Sequence, residues 1–529
     1  MIFTPQVLVV VAAIVLSLSY AFSWISTWSR RRAFAASYGC KPVPQLGRLR
    51  NCYLTSKAWK ARKLLDLLHW KYTAIGNTHE SSTVGLGTII FTVDPENLKT
   101  ILATDFQKWD LGPRRRKLLS PLVGVGIFTS DGQAWEHSRS LIRPSFTKIR
   151  MSDSSMFESH FQNFLSVLPR KNAVSGLVDV DLHPLIFRMT LDSASEVLLG
   201  RSFESQLQTP TSATQGFMEA FDYAQLKTHS RYLSDRGYMK PLGMLMTSLF
   251  PNIWNTFDNS CSTVHRIVDG IVADHLVFLE QRALYGSQDE KEADAAANKK
   301  YVFLEELAKE TRNPIELRDE VLNMLVAGRD TTASLLTTSL FMLARHPEIW
   351  NRVRTEVIDA VGYDEIPEYE TLRNLKQLRN LFNECLRLWP PVPLNSREAN
   401  VDTVLPRGGG PDGRSPIFIK AGQSVNYHVY SMHRLPSIFG EDADVFRPSR
   451  WDDPKLRPGW GYIPFNGGPR ICPGQQFALT EAAYVLARFM QHVESIERRD
   501  VEYDWAERVA LVTKGRNGVK VALKMVDRD

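Results

Sequence analysis

The sequence is poor in cysteine, and its cysteines form no recognisable pairs. The 529 residues include five cysteines, an odd number, at Cys40, Cys52, Cys261, Cys385 and Cys472. They are scattered along the chain and lack the short paired spacings of a zinc site or a disulfide framework. A reducing compartment therefore fits this sequence best.

Nucleotide and nucleic-acid signatures are missing as well. The Gly124 and Gly126 pair lacks the third glycine and the distal acid of a dinucleotide fingerprint. The glycine-rich stretch 408–413 has no Gly-Lys-Ser or Gly-Lys-Thr ending, so it predicts a hairpin turn rather than a phosphate loop. The formal charge of +6 is modest for this length, and no RNA- or DNA-binding motif occurs. The charge favours acidic partners and argues against a nucleic-acid partner.

Charge is absent from the first 29 residues. The stretch 7–24 is rich in Val, Leu, Ile and Ala and is long enough to span a bilayer as a helix, and Arg30–Arg32 follow it. A cleaved signal peptide carries its positive charge before the apolar run, so this order predicts an uncleaved anchor with a cytosolic body. A buried core helix is disfavoured, because the run has no polar stripe.

Three segments follow from this pattern. Residues 1–29 are the expected transmembrane anchor, and residues 30–50 are a basic stop followed by a hinge stiffened by Pro42 and Pro44. Residues 51–529 form the expected cytosolic domain.

Helical periodicity dominates this domain. It covers 57–72, 135–148, 185–199, 263–283, 316–344, 372–388 and 475–491, with strand-like alternation at 83–93. The charged, alanine-rich stretch 287–300 has no apolar face and is expected to be an exposed loop. The sequence therefore predicts a mainly α fold with a smaller β region.

One cysteine stands in an unusual loop. Cys472 lies in the segment Phe465 to Gly474, just before a helical pattern, and backbone N–H groups at a helix start favour thiolate over thiol. Gly468 allows close approach of the backbone, and Arg470 offers a fixed positive charge to an acidic group. An inert, buried cysteine is the commoner state of a lone Cys, but a metal-ligating thiolate explains the surrounding residues.

This loop resembles the haem-binding loop of the cytochrome P450 superfamily, in which Phe, Gly, Arg, Cys and Gly recur at these spacings. The resemblance covers nearly the whole chain and implies the P450 fold, preceded by a transmembrane helix. It implies that Cys472 is the axial ligand of haem b and that Phe465, Arg470 and Gly474 belong to the cofactor site. A thiolate on haem iron favours cleavage of the O–O bond.

Three further residues resemble a structural triad of that family. Glu384 and Arg387 lie one helical turn apart, and Arg450 follows in the string Phe446 to Trp451. Taken alone, the first two would indicate a surface ion pair that contributes little. The resemblance implies instead a buried Glu-Arg-Arg core.

The predicted helix 316–344 contains poor helix formers in its middle, at Gly328, Thr331 and Thr332. Such departures often mark function, although hydroxyls bonded back to carbonyls in a kinked helix are a compatible explanation. The resemblance implies that this helix crosses the haem face. Ala327 and Gly328 would leave room for dioxygen, Thr331 would hydrogen-bond it, and Asp330 would supply protons.

The resemblance also implies residues for the haem propionates. Trp135 and Arg139 lie four apart, hence on one helical face, and Arg397 is a third partner. His433 has no second ligand at metal spacing, so we expect a structural or propionate-side role for it.

Within the superfamily, the strings LPRGGGPDG, GEDADVFRPSRW and FNGGPRICPGQQFALTEAAYVLAR resemble the fungal alkane-inducible group, which hydroxylates terminal carbons of alkanes and fatty acids. An apolar pocket suits such a small hydrophobic substrate, although each residue of its expected lining is at least as often core. The expected lining comprises Leu118, Leu119, Leu122, Val123, Val125, Phe128, Val392, Leu394, Leu511 and Val512.

Two features depart from that group. Ser396 stands where the resemblance leads us to expect an aromatic residue, which indicates a wider or more polar pocket. The run Arg114 to Lys117 is unusually basic for a channel mouth. It would attract a fatty-acid carboxylate, but a solvated or lipid-facing run is favoured.

The expected reaction inserts one atom of O2 into a C–H bond, using NADPH indirectly. Because the chain has no flavin or nicotinamide fingerprint, the resemblance implies a membrane-bound NADPH–cytochrome P450 reductase carrying FAD and FMN, and an endoplasmic reticulum location with one membrane span. Arg143, Lys148 and Arg150 would meet its acidic surface, unless they form an ordinary solvated face. Alternatives are a P450 of fungal secondary or xenobiotic metabolism with a bulkier substrate, a reductase-independent isomerase or dehydratase, and a non-catalytic haem carrier or sensor.

Overall fold

The computed structural model describes residues 5–61, 63–83, 87–148, 155–207, 211–234, 251–285 and 301–527. The predicted loop 287–300 and the partner residue Arg150 lie outside these ranges. The helices are α1 Pro5–Ser37, α2 Arg48–Ala61, α3 Leu64–Ile75, α4 Pro95–Lys99, α5 Pro113–Val123, α6 Gly132–Lys148, α7 Ser155–Ser166, α8 Leu182–Leu199, α9 Ser212–Ser234, α10 Pro251–Tyr285, α11 Phe303–Glu310, α12 Pro314–Leu343, α13 Pro347–Val361, α14 Tyr369–Asn374, α15 Lys376–Leu388, α16 Val429–Met432, α17 Pro436–Phe439 and α18 Gln475–His492.

Thirteen strands complete the described structure, namely β1 Gln45–Leu46, β2 Thr78–Thr83, β3 Gly87–Thr92, β4 Trp109–Asp110, β5 Val178–Asp181, β6 Asn395–Ala399, β7 Thr403–Gly409, β8 Ser415–Ile419, β9 Ser424–Tyr427, β10 Val493–Arg498, β11 Glu507–Val509, β12 Thr513–Gly515 and β13 Lys520–Met525. The largest sheet has the order β1-β2-β3-β9-β6-β4, and the second has the order β10-β13-β5. The pairs β7–β8 and β11–β12 form separate hairpins. The mainly α class with a smaller β region is confirmed.

The glycine-rich stretch 408–413 turns between β7 and β8, as predicted. The Gly408 N–H donates to the Gly413 carbonyl at 2.7 Å, which closes the turn. Gly408, Gly410 and Gly413 all have positive φ, a conformation that side chains with a Cβ rarely adopt.

Two predicted helices are each divided in the structure. The prediction at 372–388 becomes α14 and α15, because Leu375 is extended with φ −68° and ψ 99°. The carboxylate of Glu356 accepts from the N–H groups of Gln377 and Leu378 at 2.8 and 3.1 Å, and so caps the new helix start. The prediction at 57–72 spans the end of α2 and most of α3 in the same way. A periodic pattern of apolar residues does not by itself reveal such a break.

Helix α12 is the centre of the core. Its start is capped by Asn313, whose side chain accepts from the Ile315 N–H at 3.0 Å, and Pro314 occupies the first turn. One apolar cluster joins α12 to α8, α15 and α18, and another joins it to α8, α9, α10 and α11. Fully burying one Leu contributes about 2 kcal/mol, so these clusters hold α12 in place.

Helix α1 stands apart from this core. Its segment Val11–Ser37 is long and apolar enough to cross a membrane, and none of its most apolar window is covered by protein. The helix continues through Arg30–Arg32 to Ser37, so the first part of the expected hinge 30–50 is helical.

Candidate active site

The Cys472 loop is closed by its own backbone. The Cys472 N–H donates to the Phe465 carbonyl at 3.0 Å, and the Ile471 N–H donates to the Gly468 carbonyl at 3.0 Å. Gly468 has φ +65°, and a Cβ there would lie 1.7 Å from the Leu102 carbonyl oxygen. Only glycine fits this position, so the loop is pressed against the turn that contains Leu102.

The Cys472 sulfur lies in a recess. Alone among the five cysteines, Cys472 is exposed. Nevertheless, the surrounding protein raises the pKa of its thiol by burial, against the opposing effects of the Gly474 N–H and the Arg139 charge. An exposed yet closely surrounded sulfur is open on one side only. The protein does not make a thiolate by itself, but a bound metal ion deprotonates its thiol ligand.

Three arginines cluster beside this recess. Burial and mutual repulsion lower the pKa of Arg115 to about 10 and that of Arg470 to about 9, with Arg397 the nearest cation in both cases. Arg115 and Arg397 also donate to the same Asn395 Oδ1, at 2.7 and 3.5 Å. Arg470 donates to Asp131 Oδ1 at 2.8 Å. The Asp131 carboxylate is thus hydrogen-bonded to only one of three clustered guanidinium groups, and this excess of positive charge favours the binding of further anions.

Buried donors in this cluster test whether haem would fit. Trp135 Nε1, Arg397 Nε, and both Nε and Nη1 of Arg470 are buried and have no hydrogen-bond partner in the described structure. The Arg470 guanidinium also stacks on the Trp135 ring at 4.3 Å from its centroid. Buried donors normally have partners. The two propionates of haem would supply acceptors and negative charge, so the residues present fit this cofactor.

Two residues that were expected at the cofactor site, Arg139 and Gly474, contact other parts of the protein. Arg139 donates through Nη1 to the Ile471 carbonyl at 2.7 Å, so it supports the cysteine loop. Gly474 caps the start of α18 with φ −89°, and a Cβ there would lie 3.1 Å from the Phe146 ring. Glycine is therefore needed at position 474 because the Phe146 ring lies close to the backbone, and not because the residue has a positive φ.

One face of α12 is less buried than the rest of the helix centre. From Val321 to Leu343 every residue is buried except Ala327, Gly328 and Thr331, which lie on one side of the helix. A Cβ on Gly328 would meet only the Ala194 Cβ, at 3.9 Å. The Thr331 hydroxyl donates back to the Ala327 carbonyl at 2.6 Å. A hydroxyl bonded back to a carbonyl, which is one explanation for the poor helix formers in this helix, is therefore present. The small residues Ala327 and Gly328 leave free space beside this hydroxyl.

Asp330 points to the other side of α12 and is fully buried. Its carboxylate lies 3.6 Å from Arg329 Nε and 3.4 Å from Lys514 Nζ, and Arg329 in turn donates to Asp222 Oδ1 at 2.6 Å. Arg329, Lys514 and Asp222 line a cavity of about 590 Å³ between α8, α9, α12 and the β11–β12 hairpin. A polar cavity thus reaches the neighbourhood of Asp330.

The expected triad is assembled and buried. Arg387 donates through Nε and Nη2 to the two Glu384 oxygens at 2.9 and 2.8 Å, and Arg450 Nε donates to Oε1 at 2.9 Å. Trp451 Nε1 and the Arg447 N–H also donate to this carboxylate, at 3.0 and 2.9 Å. A surface ion pair is therefore excluded for Glu384.

His433 is structural. It is fully buried, its Nε2 accepts from the Ile463 N–H at 3.0 Å, and its Nδ1 donates to the Arg387 carbonyl at 3.2 Å. Burial lowers the pKa of His433 to about 3, so the ring is neutral. It joins the triad helix to the chain leading into the cysteine loop.

Several residues of the site were not recognised from the sequence. Arg115 was placed in a basic surface run, whereas its side chain turns inward and donates to the Phe128 carbonyl at 3.2 Å. Arg116 and Lys117 are exposed. Asp131 and Lys514 carried no motif, since their roles depend on contacts between distant segments. The one signal in the sequence was that two acidic residues, Asp110 and Asp131, lie on either side of the basic run.

The expected apolar lining is divided by the structure. Leu119, Leu122 and Val123 are buried in the core, whereas Val125 is 62% exposed. Phe128, Leu394 and Leu511 are partly buried. Leu119, Leu122 and Val123 are therefore explained as residues that fill the core.

A recessed thiol, with buried cationic donors beside it in a mainly helical domain, is the arrangement of a haem protein whose iron is held by cysteine. Comparisons with known proteins agree. A sequence model described as "Cytochrome P450" matches residues 65–516. The chain therefore belongs to the cytochrome P450 family and is a P450 monooxygenase, with haem and a cysteine thiolate ligand as the family's cofactor arrangement.

Individual relatives come from different fungi. Cytochrome P450 monooxygenase fsdH of Fusarium heterosporum is 41% identical, over 98% of this chain and 89% of the relative. Cytochrome P450 monooxygenase himC of Aspergillus japonicus is 40% identical, over 94% and 86%. Cytochrome P450 52A3-A of Candida maltosa, of the alkane-inducible group, is 41% identical, over 88% and 87%. The resemblance to the family and to this group is thus confirmed, and other fungal monooxygenases are equally similar.

Proposed function

We propose that this protein is a membrane-anchored monooxygenase that hydroxylates the terminal carbon of an alkane or fatty acid. The observation that carries this proposal is the similarity to the alkane-inducible Candida maltosa protein over 88% of the chain. The free space beside Ala327, Gly328 and Thr331 on an otherwise buried helix supports it.

Haem b, bound through Cys472, supplies the centre at which O2 is activated. Arg397, Arg470 and Trp135 hold its propionates with the buried donors described above, and Arg115 adds positive charge beside them. Arg139, Phe465 and Gly474 shape the loop that presents the sulfur. Charge-assisted hydrogen bonds of this kind fix the orientation of a ligand as well as its affinity.

The proton supply uses the other side of α12. Asp330 places its carboxylate between Arg329 and Lys514, beside the polar cavity. Thr331, the next residue along the helix, presents its hydroxyl on the opposite side, beside Gly328, where it would donate to dioxygen. General acid catalysis needs such a group within reach of the reacting oxygen atom.

Electrons come from an NADPH–cytochrome P450 reductase carrying FAD and FMN. Arg143 is exposed on α6, the helix that also presents Arg139 to the cysteine loop, so it offers a positive charge near the thiolate side. An acidic reductase surface complements this face. We place the protein in the endoplasmic reticulum membrane with one span, residues 1–29, and with residues 51–529 as the cytosolic catalytic domain.

A second candidate is hydroxylation of a bulkier substrate in fungal secondary or xenobiotic metabolism. The similarity to fsdH and himC favours it, since their identities of 41% and 40% equal that of the Candida relative. Ser396 favours it as well. It lies on β6 and is partly buried beside Arg397, where a small side chain leaves more room than an aromatic one.

Binding spectra and turnover distinguish the candidates. We expect dodecane and dodecanoate to displace water from the haem and to be oxidised only when NADPH and reductase are present. A panel of polycyclic compounds is the control. If polycyclic compounds bind more tightly and the linear chains are not turned over, the terminal hydroxylase is excluded and the second candidate stands. Product formation without NADPH or reductase would indicate an isomerase or dehydratase.

A further inference from the structure

One side of the end of α1 is covered by the catalytic domain. Thr27, Arg31, Phe34 and Ala35 are partly buried, whereas Arg30, Arg32 and Ala33 are exposed. Thr27, Arg31 and Ala35 are four residues apart and Phe34 is three after Arg31, so they share one side of the helix. The helix therefore rests on the domain along a stripe and does not merely precede it.

The stripe contacts the β7–β8 hairpin. Arg31 Nε donates to Asp402 Oδ2 at 2.9 Å, and Asp402 Oδ1 accepts from the Ala421 N–H at 2.8 Å, which holds the carboxylate in place. The Phe34 ring meets the Phe418 ring edge-on, with 5.9 Å between centroids. Partial burial raises the pKa of Asp402, but the hydrogen bonds and charge of Arg31 outweigh it and lower the pKa. An ion pair and an apolar contact thus occur side by side.

The segment after α1 is attached to the same hairpin. The Lys41 N–H donates to the Pro416 carbonyl at 2.9 Å, and the Gly410 N–H donates to the Pro42 carbonyl at 3.0 Å. A Cβ on Gly409 would lie 2.8 Å from the Lys41 carbonyl oxygen, so glycine is needed for this approach. Next, β1 pairs with β2. A chain bonded at successive positions cannot serve as a free hinge.

The basic run places this contact at the membrane surface. Arginines that end an apolar span lie at the level of the lipid headgroups. Asp402, paired with Arg31, is therefore at the same level, as are its neighbours Val401, which is 46% exposed, and Lys420 on the adjoining turn. An exposed apolar side chain and a cation beside a bilayer both interact favourably with anionic lipid.

We propose that the β7–β8 hairpin is the docking surface for the end of the anchor helix, and that this contact holds the catalytic domain at one orientation on the lipid surface. The inference rests on the membrane anchoring proposed above. A fixed orientation keeps one face of the domain toward the bilayer, from which an apolar substrate arrives.

The test measures haem tilt in the full-length holoprotein. Linear dichroism of the haem band is recorded in aligned phosphatidylcholine–phosphatidylserine bilayers. We expect a strongly dichroic wild type and a shift toward the isotropic value in Arg31→Asp and in Asp402→Arg. The double variant R31D/D402R should recover the wild-type ratio. Arg32→Asp is the matched control, since Arg32 is exposed on the same turn and should leave the ratio unchanged.

The results of this experiment distinguish the docking surface from the membrane anchoring on which it rests. Unchanged dichroism in both single variants, or a double variant as disordered as the singles, overturns the docking surface. Arg31→Asp alters only the anchor helix, and an intact reduced carbon monoxide band shows that the domain is folded in each variant. Retention in the membrane after alkaline carbonate extraction is measured in parallel. Loss of the wild type from the membrane overturns the anchoring itself, and the docking proposal with it.

Discussion

At the scale of single residues, the chemistry of this protein depends on groups that lack hydrogen-bond partners among the residues that the structure describes. Arg397 and Arg470 keep buried donors unused, and the Cys472 thiol remains accessible while burial raises its pKa. Leaving a buried donor unsatisfied costs about 1–3 kcal/mol. These costs are offset when a cofactor of opposite charge is bound, so the folded chain is prepared for haem.

Arg115 tests this interpretation of the basic run. We expect Arg115→Gln to accelerate haem loss to apomyoglobin by about 10- to 100-fold, because one charge-assisted contribution of about 1.5–3 kcal/mol disappears. Lys117→Gln, on an exposed position of the same run, should not change the rate. If the two variants lose haem equally fast, Arg115 has no role at the cofactor. A lower affinity for dodecanoate in both variants, with normal haem retention, would support the carboxylate function of the run.

At the scale of elements, close contacts between loops and helices position the site. The cysteine loop meets the turn containing Leu102, the triad joins α15 to the chain around Arg450, and α18 begins at Gly474. Breaking a buried ion pair by removing one partner costs about 3–5 kcal/mol. The scaffold around Cys472 is thus held by a few contacts that tolerate little change.

Gly468 allows a direct test of this loop. We expect Gly468→Ala to give little haem-bound protein with the thiolate-type carbon monoxide band, because its Cβ would overlap the Leu102 carbonyl. Gly459→Ala is the matched control. It also has positive φ, but open space surrounds it, so only a backbone cost of about 1–2 kcal/mol is expected. Equal yields of the normal spectrum from both variants would show that the loop can move away from Leu102.

At the scale of the whole molecule, a buried carboxyl joins several helices. Glu481 on α18 lies beside the hydroxyls of Ser193 on α8 and Thr332 on α12. Burial raises the pKa of Glu481 to about 7. It is therefore protonated in the folded protein under mildly acidic conditions, in which an unfolded chain has already released the proton.

This pKa predicts how stability changes with pH. Because the folded pKa is raised, the stabilisation is complete below the unfolded pKa and is lost as pH rises toward about 7. The loss amounts to about 1.4 kcal/mol per pH unit, or about 3 kcal/mol in all. Glu481→Gln should remove this part of the dependence, as measured by denaturant unfolding of the holoprotein between mildly acidic and neutral pH.

Other groups titrate in the same pH range, so the contribution of Glu481 is isolated by comparing the variant with the wild type. Burial also raises the pKa of Glu320 to about 7, and this contribution is common to both proteins. Glu497→Gln, an exposed glutamate on β10, is the control and should keep the wild-type slope. If Glu481→Gln keeps that slope too, Glu481 is ionised in the folded protein.

The local features of this protein were readable from the sequence. Periodicity located most of the helices, the loop around Cys472 identified the family, and the run before Arg30 predicted the apolar helix α1. These signals are readable because each depends on neighbours in the chain, through helical spacing or through a motif of fixed length. The division of α14 from α15 was not readable, because the cap comes from Glu356 on another helix.

The tertiary structure alone decided which charges face inward. Arg115 and Lys117 are cations two residues apart in the same basic run, yet Arg115 joins Arg397 and Arg470 while Lys117 is exposed. It also decided that Arg31 meets Asp402, which lies 371 positions away. Pairing between distant segments depends on the packing of the whole chain, and no local pattern encodes it. The ligand-prepared arginine cluster and the docked anchor therefore emerge only when the chain is folded.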